Sequence, residues 1–149
     1  MVDAFERLRK RERIREAVVL CHSPLWRSLA QALQTTHGWP IAYDRMDLHE
    51  GFSTSGASVA EDERRLIAIA GLITATSGAL EQVEDSARER VLRLPNACDP
   101  DHWIGASPSP ELAHIQKPII GYFGAISDWF DTALVVELAV ARPAWSIVL

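Results

Sequence analysis

Only two cysteines occur in the 149 residues, Cys21 and Cys98, too few for a disulfide framework. Both read as free thiols of a reducing compartment. No apolar run approaches the roughly eighteen residues of a membrane span. The charged N-terminus lacks the apolar core of a signal peptide, so the expectation is a cytoplasmic protein. No Gly-x-Ser-x-Gly elbow occurs, which excludes the Ser-His-Asp hydrolase arrangement built on one. A Gly-rich phosphate loop of the P-loop or dinucleotide type is also missing. A net positive charge is lacking too: the formal net charge of −5 argues against a nucleic-acid partner, because phosphate neutralisation needs clustered Lys and Arg. The one basic cluster, residues 7–15, is interleaved with Glu6, Glu12 and Glu16 and reads as a solvated helix face with i,i+4 pairs. Its lesser reading is peripheral contact with anionic lipid headgroups at a membrane surface.

What is present suits a chain that buries a core, with 48% hydrophobic and 23% charged residues. Strand-like and helix-like stretches alternate. A helix is expected over residues 3–16, then a buried strand over 17–21 (AVVLC), a turn at His22-Ser23-Pro24 and a helix over 25–33. Gly38 closes that element. A strand over 40–43 follows, then a polar irregular loop over 44–52, a helix over 61–70 and a strand over 72–75. Ser77 is expected to cap a helix running to about residue 90, before a strand over 91–94. This alternation predicts the α/β class, with a parallel Rossmann-like sheet and flanking helices. Residues 95–110 hold four prolines and read as a turn leading into a linker, with the domain boundary near residues 104–112.

Beyond the linker, residues 118–123 read as a buried parallel strand bounded by Gly124. Ser127 or Asp128 is expected to cap an amphipathic helix with Phe130, Leu134, Val135, Leu138 and Ala139 on one face. Pro143 ends it, and residues 146–149 start a second strand. That strand is expected to pair beside the first and leave an exposed apolar edge prone to association.

The segment PIIGYFGAISDWFD followed by ARPAWSIVL resembles the opening βαβ of the donor-binding domain of GT-B glycosyltransferases, in the retaining family numbered four. Upstream the likeness continues in the family's order. VVLCHSP resembles its strand and His-x-Pro turn, IAYDRMD its next strand and acidic loop, GLITATSGALEQV its Ser-containing segment, and LPNACDPDHW its Pro-Asn-Gly-x-Asp hinge. The resemblance implies residues 1–105 as the second half of an acceptor domain, 106–117 as a linker and 118–149 as the start of a donor domain. It therefore implies a central portion of a larger enzyme that moves a sugar from a nucleotide-sugar to an acceptor hydroxyl, carbohydrate or lipid-linked. No cofactor beyond the donor substrate and no metal ion are implied. The other reading kept open is a catalytically inactive remnant or binding module that retains the sheet.

In such a sheet, functional groups belong at the C-terminal ends of the strands, where His22, Asp44, Asp47, Ser77, Asn96 and Gly124 fall. His22 is the candidate catalytic residue, since the family's matching histidine lies close to donor and acceptor; the plainer reading is a histidine that holds its turn. Asp44 and Asp47 are read as turn and cap residues or, if functional, as acceptor-hydroxyl ligands, and Ser77 and Asn96 line the same cleft. Gly124 and Ala125 are the donor-binding candidates, through main-chain N–H groups near a helix N-terminus. Many family members carry an Arg where Ala125 stands. At the hinge, Ala97 replaces the family's Gly, Cys98 is expected to be a small buried hydrophobe, and Trp103 to pack the hinge.

Overall fold

A computed structural model describes residues 2–51, 58–102, 104, 105, 107 and 109–149. The chain forms two compact units, Met1–Ala97 and Cys98–Leu149. The first contains helix α1 (Val2–Arg11), strand β1 (Val19–Cys21), helix α2 (Arg27–His37), strand β2 (Ile41–Arg45), helix α3 (Val59–Ile69), strand β3 (Leu72–Ala75) and strand β4 (Val91–Arg93). The four strands are parallel and lie in the order β1-β2-β3-β4. This is an α/β unit with a parallel, Rossmann-like sheet.

A sheet whose strand order follows the sequence, built with right-handed crossovers, carries all its connections on one face. The burial pattern agrees. On the covered face Ile41, Tyr43 and Ile73 are fully buried against Ala30 of α2, Leu66 of α3 and Ala70 just past its end. On α3 the buried positions Val59, Glu63 and Leu66 recur at i, i+4 and i+7, the spacing of a helix stripe facing a sheet. Filling such a position with Leu66 contributes roughly 1.5–3 kcal/mol of apolar burial. The opposite face is open. There Leu20, Ala42 and Leu72 form one row and Asp44, Thr74 and Leu92 the next, with Leu20 60% and Leu92 53% exposed.

The buried Glu63 is held by two partners from β2. The Tyr43 hydroxyl donates to Oε1 at 2.7 Å and Arg45 Nε donates to the same oxygen at 3.0 Å. Burial, reinforced by the Glu63 carboxylate, pushes the Tyr43 phenol well above its ordinary range. Arg45 also donates through Nη1 to the carbonyls of Leu80 (2.8 Å) and Gln82 (3.1 Å).

Those bonds explain one correction. The helix expected from Ser77 to residue 90 does not form; turns are followed by a 3-10 stretch over Asp85–Arg90. Arg45 ties the Leu80 and Gln82 carbonyls to β2, and the chain between β3 and the 3-10 stretch follows that tether as turns. From that 3-10 stretch Arg90 reaches back to the carbonyls of Ile67 (3.3 Å) and Ala70, capping the end of α3.

Three other boundaries shift. α1 stops at Arg11 rather than running to residue 16, because Arg13 takes a left-handed conformation (φ 56°). The N–H groups of Ile14 and Arg13 then bond the Arg9 and Lys10 carbonyls, a Schellman closure. α2 runs on to His37, and Gly38 at φ 71° ends it as expected. Asp44 and Arg45 belong to β2 and not to the following loop, since the pairing with β3 continues to Arg45 and Ala75. Cys98 is exposed, contrary to its expected burial, because it sits in an irregular stretch beyond the last strand of the first sheet; Cys21 is buried at the end of β1.

The second unit holds strand β5 (Ile119–Gly121), helix α4 (Thr132–Ala141) and strand β6 (Ser146–Val148). β6 pairs with β5 in parallel, as the sequence implies. Neither strand is buried, however: Ile120 and Tyr122 are exposed and Phe123 fully so. The helix is capped by Asp131, whose Oδ1 accepts from the Leu134 N–H at 2.9 Å, and not by Ser127 or Asp128. Nor is α4 amphipathic. After Thr132 its residues ALVVELAVA are apolar on all sides except Glu137, and only Val135 and Leu138 reach partial burial. Trp103 lies outside the described residues.

Candidate functional site

The local chain after β1 is fixed by short-range chemistry. Ser23 adopts an extended conformation, its hydroxyl accepts from the Leu25 N–H, and buried Pro24 opens the 3-10 turn Pro24–Trp26 that leads into α2. His22 therefore sits between the last residue of an edge strand and a capped turn. The neighbouring Cys21 thiol donates to the Ser23 carbonyl (3.3 Å), and burial pushes its pKa up, so it is a packing group and not a thiolate nucleophile.

β2 brings Asp44 up beside this turn. Asp44 follows Tyr43, the register partner of Cys21, and so faces the open side of the sheet. Its Oδ2 lies 3.1 Å from His22 Nδ1, and its Oδ1 accepts from Thr74 Oγ1 at 2.6 Å. Thr74 is its direct register partner on β3. The residue just past β1 and one residue each from β2 and β3 thus form a His22–Asp44–Thr74 chain. The His22 side chain remains about half exposed and that of Asp44 less than a quarter.

The other expected residues are not part of this chain. Asp47 is exposed in the bend after β2, and Ser77 is exposed after β3, where its carbonyl accepts from the Leu80 N–H. Asn96 is exposed in an irregular stretch, and Ala97 there does not take a positive φ. Gly124 and Ala125 lie in the second unit. A side chain at Gly124 would meet the Tyr122 hydroxyl at 2.8 Å, and that hydroxyl donates to the Ala125 carbonyl. The α4 N-terminus comes well after Gly124 and is already occupied by the Asp131 carboxylate. Among the described residues no group of three or more His, Cys, Asp or Glu side chains could hold a metal ion.

Thr74 is the member that sequence reasoning missed. It lies inside the apolar stretch LITA, and nothing in its own neighbourhood marks it; only the β2–β3 register makes it the partner of Asp44. A second feature lies beside His22: a cleft of about 390 Å³ that runs along the free edge of β1, walled by Val18, Leu20, Trp26, Leu33 and Trp39 and reaching His22.

The fold and site together define an α/β unit with a one-sided parallel sheet and a histidine–carboxylate pair at its strand ends. No protein-family model matches the chain, and no curated protein matches it.

Proposed function

We propose that this chain belongs to a retaining, GT-B type glycosyltransferase and supplies His22 to its sugar-transfer site. The observation that carries the reading is the His22–Asp44 pair, 3.1 Å apart, at the C-terminal ends of two parallel strands, with the imidazole still open to a ligand. Crevices outside the carboxyl ends of strands are where open α/β sheets bind ligands. The ordered run of motifs from VVLCHSP to ARPAWSIVL supports the same reading. The donor is a nucleotide-sugar, and the resemblance makes Gly124 and Ala125 the candidates for binding its diphosphate. The acceptor is a carbohydrate or lipid-linked hydroxyl that meets His22, with Asp47, Ser77 and Asn96 at the cleft margin. The work is cytoplasmic.

The test uses the product of the whole reading frame, supplied with a set of nucleotide-sugars and assayed for nucleoside diphosphate release. His22→Ala is expected to lower turnover by about 100-fold or more, the scale of losing a positioned acid–base group. A variant that turns over like the native protein would sink the proposal.

A second reading, a non-catalytic binding module, is favoured by the open apolar sheet face around Leu20, Leu72 and Leu92. It expects no sugar transfer with any donor, and an intact mass of the native cellular product equal to that of this chain.

A further inference from the structure

The geometry points to Asp44 as a positioning residue for His22, held in that task by Thr74, so that His22 offers an unprotonated Nε2 to a hydroxyl donor. Ionised carboxylates only accept hydrogen bonds, so the imidazole nitrogen that faces Asp44 Oδ2 must carry a proton. In a neutral ring that leaves the lone pair on Nε2. The Asp44 carboxylate is in turn fixed by the short bond from Thr74 Oγ1 to its second oxygen. Both carboxylate oxygens are therefore engaged within the protein. This gives Asp44 the task of setting the tautomer and the ring orientation of its neighbour, the part a third group plays for a general base.

The ring is about half exposed, so water can compete for Nδ1. Orientation then depends on Asp44 itself being fixed. Thr74 achieves this because the parallel register puts it directly opposite Asp44 on the same face of the sheet. The ligand class that fits is a neutral hydroxyl group, which donates to Nε2 and can pass its proton there. That it is a sugar hydroxyl rests on the proposed function; the tautomer and its two supports do not.

The experiment reads ring nitrogens and not activity. Long-range proton–nitrogen NMR of the whole chain, about two pH units above the ordinary imidazole value of ~6.5, distinguishes a protonated ring nitrogen from a lone-pair one. His22 is expected to show protonated Nδ1 and bare Nε2. Asp44→Ala should release it to a mixture of tautomers, with the backbone amide spectrum otherwise retained. Thr74→Val should give a partial shift in the same direction, and Thr74→Ser should restore the native pattern. A native His22 already protonated at Nε2, or a ratio unmoved by Asp44→Ala, overturns the inference. An effect of Thr74→Ser equal to that of Thr74→Val removes Thr74 from it. In the whole enzyme, Asp44→Ala is expected to lower kcat more than it raises KM. Unchanged turnover together with a shifted tautomer would overturn the catalytic use of His22 and leave the positioning role standing.

Discussion

Arg45 and Glu63 form an ion pair inside the layer between sheet and helices, with Arg45 Nε 3.0 Å from Glu63 Oε1 and both side chains almost wholly buried. The pair joins β2 to α3, and through the Leu80 and Gln82 carbonyls it also fixes the path of the chain after β3. Removing water from two charges is costly, and only a full set of hydrogen bonds offsets that cost.

Breaking the pair from one side should therefore be severe. Glu63→Ala is expected to destabilise the first unit by roughly 3–5 kcal/mol, leaving Arg45 buried without its counter-charge. Glu63→Leu combined with Arg45→Met should cost less than the sum of the two single changes. Urea unfolding of the four proteins measures this coupling; simple additivity would show that the pair does not act as a unit.

α1 is held to α2 by a contact that acid should weaken. The hydrogen bond from His37 Nε2 (2.6 Å), aided by Arg9, holds the Glu6 carboxyl below the usual carboxylate range. A carboxyl depressed in the folded state binds its proton less readily there than in the unfolded chain. Its contribution is thus present above about pH 4.5 and is lost as pH falls through the folded value. Hydrogen exchange of the α1 amides and the Trp39 indole N–H, which bonds the Arg15 carbonyl, should report the loss on acidification. Glu6→Gln should abolish the pH dependence in that window.

Gly38 provides a separation of backbone from packing effects. It has φ 71°, and a Cβ added there would meet nothing within 4 Å. Gly38→Ala is expected to cost about 1–2 kcal/mol, all of it from the left-handed conformation. Gly38→Asn should cost less, because Asn tolerates that region better. Equal thermal stabilities for Ala and Gly at this position would contradict the assignment.

The two faces of the sheet should respond oppositely to substitution. Leu66→Ala, on the covered side, is expected to cost about 2–5 kcal/mol. Leu20→Thr and Leu92→Thr, on the open side, should change stability by less than about 0.5 kcal/mol. These open-face changes should also reduce binding of an apolar dye. A loss at Leu92 as large as that at Leu66 would mean the open face is covered in solution.

The sequence determined the class of this protein and the number and direction of its strands. The apolar runs at 17–21, 40–43, 72–75 and 91–94, separated by helical spacing, already imply a parallel sheet, and Gly38 and Pro143 mark two helix ends. These signals are local: period, punctuation and backbone preference act within a few residues. It also put His22 and Asp44 in one candidate set, because both fall near strand ends. What it could not supply was which side chains meet. Residues 77–90 have helical composition, yet Arg45 from β2 tethers the Leu80 and Gln82 carbonyls and the segment runs as turns and a 3-10 stretch. Thr74 reads as one more β-branched strand residue until the register sets it against Asp44. Glu63 reads as a charge on a surface helix until Tyr43 and Arg45 are found beneath it. In each case the deciding partner lies 18 to 37 residues away in the chain. Strand register and helix docking are settled by the packing of the whole unit, so the His22–Asp44–Thr74 chain and the Arg45–Glu63 pair belong to tertiary structure alone.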